Sequence, residues 1–376
     1  MGKIAAGIIF SSLNSNNLSR LTADRTVSAI PFACRYRLID FALSNMVNAD
    51  ITNISIVANY NYRSLIEHIG SGKDWDLARR GGGINIISPY QTAKYSGIKL
   101  FSSHMEALVN MKEYIDEFKE EVVVLMDTDQ VLNFDLAKEI KDHLESGAKI
   151  SLLTQRVSPD YSSKRPRMMI KATQCKIESI NICTKYSDTH SDVCLNIFII
   201  NTHYLKNLID ESIALDRNSL TSHILSKYMN KDFRVQRIEG YALSISSFTD
   251  YFKCSMELVE NEKARLELLH NKFFPIYTRV NNSFPVIYKK EAKIENSMIA
   301  DDCIIEGTVI NSIIFRNVYV AKGAIVQNSV LFSGTRICTN ALLNCVVTDK
   351  NVTVTENINL SGHRNMPFYI KKGSKV

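Results

Sequence analysis

Few residues in this chain combine a reactive side chain with a spacing that could support chemistry. Ser102-Ser103-His104 places two hydroxyls beside an imidazole, as a serine nucleophile and its base would require. The segment lacks the glycine-flanked turn that exposes such a nucleophile, and the sequence identifies no acidic partner for the histidine. Gly81-Gly82-Gly83 could cradle a phosphate, but it precedes a strand pattern with no helix behind it. A flexible loop is the better interpretation of these glycines.

The thiol and imidazole side chains show no metal-site spacing. The eight cysteines contain no C-x-x-C pair, and the eight histidines are spread along the chain. Most cysteines have apolar neighbours, which favours reduced, buried thiols in a cytosolic protein. We therefore expect no structural zinc site. We also expect a cytoplasmic protein. The apolar run at the start is not followed by the cleavage site of a signal peptide, and no apolar stretch approaches the length of about 20 residues that a membrane span needs.

The charge pattern argues against a nucleic-acid partner. The formal net charge is +6, and the basic clusters are short: Arg79-Arg80, Lys164-Arg165 and Lys371-Lys372. Nucleic-acid-binding domains more often concentrate basic residues on one element, with aromatic residues interleaved. The charge therefore indicates a mildly basic surface or an anion preference that is confined to one site.

Short apolar runs alternate with helical patterns over the first two thirds of the chain. Apolar residues recur at helical spacing after Ile39 and again after Leu108. This alternation predicts an α/β domain with a mostly parallel sheet over residues 1–249, and the continuous apolar runs fit strands buried on both faces. The predicted strands are Ile4–Phe10, Ile54–Ala58, Ile84–Ile87, Val122–Met126, Ile150–Leu153 and Ile197–Ile200.

A helix and a linker are predicted between this domain and the rest of the chain. Residues Asp250–Asn271 carry apolar side chains at helical spacing among glutamates and lysines, which predicts one helix. The chain then passes through Pro275 and Pro285. We assign residues 250–290 to this helix and linker.

The last part of the chain contains an internal repeat. Asn296-Ser297-Met298-Ile299 recurs at positions 311, 328 and 344, so the copies start about 15–17 residues apart. Such a period, with paired aliphatic residues and small turn residues, is typical of a β-solenoid, in which each coil buries its aliphatic side chains against the next. We predict a solenoid over residues 291–376, and an ordinary β-meander is the alternative.

Several blocks of the sequence resemble the ADP-glucose pyrophosphorylase (glucose-1-phosphate adenylyltransferase) family. Arg35–Asn45 is similar to the family's R-x-R/K-x-I-D-F-x-L-S-N stretch, and further similar blocks follow in the family's order: His68–Leu77, Gly82–Tyr90, Pro275–Thr278 and Asn296–Asp301. The resemblance implies a nucleotidyltransferase domain of the GT-A, Rossmann-like type followed by a left-handed parallel β-helix. It also implies synthesis of ADP-glucose and pyrophosphate from ATP and glucose 1-phosphate with a divalent metal.

Most of the residues that the family uses for this reaction are changed. Its G-G-x-G-x-R-L loop corresponds to Ser12–Leu18, which has no glycine and has Asn17 in place of the arginine. Its K-P pair corresponds to Val27-Ser28. Four other motifs are also altered: G-T-x-[DN]-A at Ser103–Ala107, E-K at Ile180–Cys183 in a loose alignment, D-F-G-K-D at Ser219–His223 and W-x-D-x-G at Ala242–Ser246.

Asp129 is the best-preserved catalytic position under this resemblance. It matches the acid of the family's G-D pair and could still bind a metal, with Asp127 either helping or solvated at the strand end. The segment expected to supply the second carboxylate, Ser219–His223, contains no acid, and His223 is a poor Mg²⁺ ligand. We therefore treat Asp129 as a vestigial nucleotide or metal position, assign no catalytic residue and expect no metal site. Mg²⁺ is expected only if a partner subunit or Asp129 retains a site.

The chain keeps the family's scaffold blocks but has lost most of its catalytic motifs. In this it resembles the accessory subunit of bacterial glycogen synthesis. This implies a non-catalytic or weakly catalytic modulatory subunit in a mixed oligomer, a tetramer, with an active pyrophosphorylase subunit. The resemblance also puts Arg35 and Arg37 near a sugar-phosphate effector site, where Arg25 could join them in an anion pocket at the domain junction. The alternative is that these arginines pair with acids such as Asp40. Two other functions remain open: a nucleotidyltransferase rebuilt around Asp129, and a sugar-phosphate-sensing binding module.

Overall fold

The computed structural model describes residues 4–11, 13, 16–78, 82–89, 100–157, 162–185, 191–227 and 232–376. The strands before the linker are β1 (Ala5–Phe10), β2 (Pro31–Phe32), β3 (Tyr36–Arg37), β4 (Asn53–Val57), β5 (Gly83–Ile87), β6 (Val122–Asp127), β7 (Gln130–Leu132), β8 (Ile150–Arg156), β9 (Ser162–Thr173), β10 (Lys176–Lys185), β11 (Ser191–Asn201), β12 (Phe233–Arg237) and β13 (Ala242–Ser244). The helices are α1 (Ser19–Thr22), α2 (Leu38–Asn48), α3 (Arg63–Ile69), α4 (His104–Asn110), α5 (Lys112–Asp116), α6 (Leu136–Ser146), α7 (Thr202–Leu215), α8 (Leu220–Lys227), α9 (Phe248–Glu260) and α10 (Glu262–Leu269).

The main sheet has a parallel half and a half that is largely antiparallel. Strand β1 lies between β4 and β6 and is parallel to both, and β5 is parallel to β4. Strand β11 runs antiparallel beside β6 and pairs with β8 and β9, while β12 and β10 extend these two branches. The predicted α/β fold with a parallel sheet is confirmed in β5-β4-β1-β6. The β9–β10 hairpin was not predicted, because β10 is mostly exposed or half-buried and lacks a continuous apolar run.

The parallel pairing of β1 and β6 fixes where a site can form. Phe10 lies opposite Asp127 in the register, so both strands end at the same edge of the sheet. The loop after β1 and the residues after β6 therefore meet there. Ligands of open α/β sheets bind outside this carboxyl edge.

The predicted single helix over 250–271 is wrong in one respect, because the chain forms two helices there. Asn261 separates α9 from α10 with an extended backbone, at φ −110° and ψ 99°. Its side-chain oxygen accepts a hydrogen bond from the Ala264 amide at 3.2 Å, which caps the start of α10. An asparagine inside an apolar helical pattern thus ends one helix and begins another.

The C-terminal part is a left-handed parallel β-helix, as predicted. Three five-stranded parallel sheets form its faces, and each strand pairs with its counterpart in the next coil. Aliphatic side chains fill the interior between the sheets. The strands are β14 (Ile287–Tyr288), β15 (Lys293–Glu295), β16 (Met298–Ile299), β17 (Ile304–Ile305), β18 (Thr308–Ile310), β19 (Ile313–Ile314), β20 (Tyr319–Val320), β21 (Ile325–Gln327), β22 (Val330–Leu331), β23 (Arg336–Ile337), β24 (Leu342–Asn344), β25 (Val346–Thr348), β26 (Thr353–Val354), β27 (Asn359–Ser361) and β28 (Phe368–Ile370).

The repeated Asn-Ser pairs form one corner of the β-helix. Asn296, Asn311 and Asn328 have φ values of 39°, 46° and 45°, a left-handed conformation that asparagine tolerates better than most residues. The serine after each one accepts a hydrogen bond from a backbone amide of the next coil at 3.1 Å. In the fourth copy the register shifts by one residue, so Cys345 takes the left-handed position and Asn344 lies opposite Gln327.

An aromatic core joins the β-helix to the preceding helices. The ring of Tyr251 in α9 lies 6.2 Å from that of Phe332, which in turn lies 5.1 Å from that of Phe315. Beside them the Arg25 guanidinium donates to Asp349 at 2.6 Å, and both side chains are buried. The α/β elements end with α10 and the β-helix begins at Ile287; the limits 1–249, 250–290 and 291–376 stay a prediction.

No helix in the described part of the chain is long and apolar enough to cross a bilayer.

We predict that Arg25→Met lowers the free energy of unfolding by about 3–5 kcal/mol, because it leaves the Asp349 carboxylate buried without its cation. The measurement is thermal unfolding followed by circular dichroism. Arg63→Met is the matched control, since Arg63 pairs with Glu67 on the surface and its side chain is 93% exposed. Equal midpoints for the two variants would show that the buried pair does not hold the joint together.

Candidate active site

Among the described residues, side chains leave only a small cavity between the ends of β1 and β6. The cavity there measures only 10 Å³, room for about one water molecule. Leu13 and Val27 line it from one side, and Asp127, Thr128 and Asp129 line it from the other. Leu13 also packs against the apolar core beneath the sheet. The two positions where the resemblance implies loop backbone and a lysine thus contribute apolar bulk instead.

The loop after β1 is tied to the segment that follows α1. The Ser11 and Ser28 hydroxyls lie 2.5 Å apart, and that of Ser28 lies 2.8 Å from the Thr26 hydroxyl. The Ser28 amide also donates to the Ser11 carbonyl. Asn17, at the position of the family's arginine, is exposed. Residues 12, 14 and 15 of the predicted replacement for the glycine-rich loop lie outside the described residues.

Asp129, the predicted vestigial metal position, is bonded to protein cations. Its Oδ2 accepts from Nη2 of Arg165 at 2.6 Å and lies 3.8 Å from Nη1 of Arg167. Its Oδ1 accepts from Nε2 of Gln130 at 3.0 Å. The carboxylate is 5% exposed, so these partners supply the positive charge that a buried carboxylate needs. The two arginines lie on β9, in a hairpin that the sequence did not predict.

Asp127 is also satisfied by the protein. Its Oδ1 lies 2.7 Å from Nε2 of His104, and its Oδ2 accepts from Nδ2 of Asn196 at 3.1 Å. Burial by itself lowers the pKa of His104, but the charge and hydrogen bond of Asp127, together with the charge of Asp129, raise this pKa above 6.5. The His104 ring packs edge-on against Phe10 at the end of β1. Asp127 is thus a buried ion-pair partner, and the alternative of a solvated strand end is wrong.

The serine nucleophile considered for Ser102-Ser103-His104 is not assembled. Ser103 caps α4 by accepting from the Glu106 amide, and its hydroxyl donates to the Asn218 carbonyl at 2.5 Å. The acidic partner of His104 is Asp127, which lies 23 residues away in sequence. The imidazole of His104 therefore pairs with the carboxylate at the sheet edge, and the Ser103 hydroxyl is used to cap α4.

The described residues form no metal cluster made of protein ligands alone. They contain no group of three histidine, cysteine, aspartate or glutamate side chains able to hold one. His223 lies instead beside Tyr204, whose hydroxyl is 3.2 Å from its Nε2, and burial lowers its pKa. The segment brought to Asp129 is Ser244–Ile245: Gln130 donates to the Ser244 hydroxyl, and the Ile245 amide donates to the Asp129 carbonyl. Placing the second acidic position at Ser219–His223 is not supported by this geometry.

Two of the three predicted anion-binding arginines share a basic pocket at the joint with the β-helix. Arg35 and Arg37 line a cavity of 170 Å³. The sequence missed three further cations in its wall: Arg279 from the linker and Arg316 and Lys350 from the β-helix. Only the tertiary fold brings them together, so no local pattern indicated them.

Burial lowers the pKa of two basic groups in this pocket. It lowers the pKa of Arg37 to about 10, which leaves the guanidinium protonated at neutral pH. It also lowers the pKa of Lys350 to about 8, with the charges of Arg37 and Arg25 adding to the effect. Arg37 Nη1 donates to the carbonyl and hydroxyl of Ser64.

Arg25 does not line the basic pocket. It is 3% exposed, and its guanidinium donates to Asp349 beside the aromatic core that joins the helices to the β-helix. The alternative partner, Asp40, accepts from the Arg37 backbone amide and the Thr278 hydroxyl and lies 2.5 Å from His68. Arg25 therefore has a structural partner, while the side chains of Arg35 and Arg37 remain at the pocket wall.

Comparison with known proteins places the chain in a family. Residues 6–165 match the nucleotidyl transferase family model, and residues 286–365 match the GlmU-like C-terminal hexapeptide model. The glycogen biosynthesis protein GlgD of Bacillus subtilis is 31% identical over 371 residues, which cover 98% of this chain and 95% of that protein. The chain belongs to the family of GlgD and glucose-1-phosphate adenylyltransferase. The glucose-1-phosphate adenylyltransferases of Bacillus mycoides and Bacillus anthracis are each 27% identical over 356 residues, 93% of both chains.

Membership of this family makes the difference between the retained scaffold and the altered sheet edge clearer. The scaffold spans nearly the whole length of these relatives. At the sheet edge, however, Asp127 and Asp129 are held by partners from the chain itself. These partners hold both carboxylates, and the cavity that the described residues line beside them measures 10 Å³.

We predict that His104→Leu destabilises the protein most at low pH. The folded pKa of His104 is raised above 6.5, so its stabilising charge is fully present below 6.5 and is lost as the pH rises through the folded pKa. At low pH the expected loss is about 1.5–3 kcal/mol. The measurement is the thermal midpoint of wild type and variant across a pH series.

His363→Gln is the control for this series, because His363 is exposed on the β-helix. It controls for the removal of an imidazole from the β-helix. A His104→Leu difference that grows as the pH rises would contradict the charged His104–Asp127 pair.

Proposed function

We propose that this chain is a modulatory subunit that accompanies a catalytically active ADP-glucose pyrophosphorylase subunit in glycogen biosynthesis. One observation carries the proposal: the carboxylates of Asp127 and Asp129 are already bonded to His104, Asn196 and Arg165. Transfer of a nucleotidyl group needs cations directed at the phosphates, and here the nearest cations are directed at carboxylates. The names of the relatives support the pathway.

For turnover by this chain, a nucleotide would have to compete with the chain's own side chains. A metal–nucleotide complex would have to displace Arg165 from Asp129 and move Leu13 and Val27 out of a 10 Å³ cavity. Removing one partner from a buried ion pair costs about 3–5 kcal/mol. Each missing charge-stabilising contact costs a further factor of about 10²–10³ in rate.

Exposed apolar surface supports an oligomeric partner. The linker carries Phe273, Val280 and Phe284 with exposures of 87%, 74% and 80%, and Ile287 and Tyr288 continue this surface into β14. Strand β14 is also the open end of its sheet. Exposed large apolar residues near an unpaired strand edge are typical of protein interfaces. We assign this surface to the pyrophosphorylase partner in a mixed tetramer.

The basic pocket supports an effector role. Arg35, Arg37 and Arg279 come from before the β-helix, and Arg316 and Lys350 come from within it. An anion bound there would contact both sides of the joint and could favour one arrangement of them. A sugar phosphate fits this chemistry, because guanidinium groups bind phosphate oxygens in bidentate fashion.

We predict that inorganic phosphate binds the basic pocket more weakly as the pH rises through about 8, because Lys350 then loses its proton. Lys350→Met should weaken phosphate binding by about tenfold at neutral pH, the loss of one charged hydrogen bond. It should also flatten the pH dependence. Isothermal titration calorimetry across a pH series provides both measurements.

Lys176→Met is the matched control for this titration, since Lys176 is exposed on the edge strand β10. It should keep the wild-type affinity and pH dependence. If Lys350→Met binds phosphate as tightly as the control does, the effector pocket is not at this position.

The central prediction concerns ADP-glucose synthesis. We expect the chain alone to form no ADP-glucose above background and to change the kcat or KM of an intact catalytic homologue from the same cell when the two are co-expressed. A coupling of about 1–3 kcal/mol corresponds to a change of about 5–150-fold. The assay compares the chain, the homologue and the co-purified pair.

The same assay separates the two other functions. Because Asp129 is retained, synthesis by the chain alone at a rate near that of the homologue, abolished by Asp129→Asn, would establish a rebuilt enzyme. Binding of phosphate without any effect on the homologue, and without co-purification, would establish a sugar-phosphate-sensing module.

A further inference from the structure

A further cavity lies between the start of α1, the start of α9 and the loop before β28. Its volume is 420 Å³, within the range of about 300–1,000 Å³ that is usual for small-molecule sites. The residues that line it differ from those of the sheet-edge cavity and of the basic pocket. Its wall includes Ser19 and Arg20 from α1, Phe248 and Thr249 from α9, and Met366 and Pro367 from the loop.

The guanidinium of Arg20 places a positive charge in this wall. It lies 5.3 Å from the centre of the Phe248 ring, a cation–π contact with the apolar part of the wall. Among the described residues, Arg20 forms no ion pair with an acid. The nearby Asp24 lies instead 3.5 Å from Nζ of Lys372, and no described aspartate or glutamate lines the cavity. Charge complementarity therefore favours an anionic ligand.

The apolar part of the wall is partly fixed and partly adaptable. Phe248 is buried, and its ring packs edge-on against that of Tyr369 with the centroids 5.5 Å apart. Tyr369 in turn donates to Asp349 at 2.8 Å, so the Phe248 side of the cavity is held in place. Met366 is 75% exposed, and a thioether side chain of this kind can adjust to the shape of a ligand. A ring or a branched aliphatic group would pack against both residues.

The single guanidinium indicates how much charge the ligand carries. One arginine balances one negative charge, and its planar fork matches the two oxygens of a carboxylate. A phosphate monoester carries between about 1.5 and 2 negative charges at neutral pH. It would leave part of its charge unbalanced in this cavity, so a carboxylate fits better than a phosphate.

We propose that this cavity binds a small monocarboxylate with a ring-sized apolar body. The carboxylate pairs with Arg20, and the apolar body packs between Phe248 and Met366. Because the cavity is separate from the basic pocket, the inference does not depend on the modulatory role or on an effector in that pocket.

The test is calorimetric titration of the full chain with phenylacetate, phenylacetamide and phenyl phosphate. The three probes share the ring and differ in the group that would face Arg20. We expect phenylacetate to bind and phenylacetamide to bind about tenfold more weakly, because the amide lacks the charge. Phenyl phosphate should also bind more weakly than phenylacetate.

Two variants localise the binding. Arg20→Met removes the charge and should weaken phenylacetate binding by about tenfold, the loss of about 1.4 kcal/mol, while leaving phenylacetamide binding nearly unchanged. Met366→Ala removes an apolar contact and should weaken the binding of both probes. Arg63→Met, which changes an exposed arginine on α3, is the matched control. Arg20 and Met366 are exposed, so both variants should fold, and thermal midpoints check this.

Four results would overturn the proposal. One is that phenylacetate releases or absorbs no binding heat. Another is that Arg20→Met binds phenylacetate as tightly as Arg63→Met does, which would place the ligand elsewhere. The third is equal affinity for phenylacetate and phenylacetamide. The fourth is tighter binding of phenyl phosphate than of phenylacetate, which would make the ligand a phosphate.

Discussion

A buried carboxylate must have a cation or hydrogen-bond donors beside it, and this requirement organises the molecule. Five aspartates in the described part of the chain are buried, and each has its partners within the chain. Asp40 is paired with His68 and Thr278, and Asp127 with His104 and Asn196. Asp129 is paired with Arg165 and Gln130, and Asp192 with Arg156 and Arg237. Asp349 is paired with Arg25 and Tyr369. These pairs tie the sheet edge, the hairpin and the β-helix together, because losing one partner would leave a charge in a low-dielectric interior.

The same requirement decides what the sheet edge can do. In an open α/β sheet this edge receives the ligand, but here Arg165 and His104 are paired with the carboxylates of Asp129 and Asp127. Leu13 and Val27 complete the closure. Elsewhere the structure has a basic cavity of 170 Å³ at the joint with the β-helix. The charged groups of the sheet edge are thus held by the chain itself, while the basic cavity at the joint stays open.

Residues at the joint connect the basic pocket to the rest of the protein. Tyr251 and Phe332 pack across it, and the Arg25–Asp349 pair lies in the same buried layer. The next residue, Lys350, faces the basic pocket. A ligand bound in that pocket would therefore contact residues that lie next to those that hold the β-helix in place. Coupling of this kind needs only differential contacts in two arrangements of the joint.

The sequence by itself determined the parallel strands, the β-helix and the loss of the glycine-rich loop, because burial periodicity, repeat length and loop composition are local properties. It also identified Asp129 as a retained acid and Arg35 and Arg37 as basic residues. Only the tertiary structure decided their partners. Arg165 lies 36 residues from Asp129, and Arg25 lies 324 residues from Asp349. Ion pairs act through space, so a single sequence with no local pattern linking the two charges cannot reveal which residues will meet.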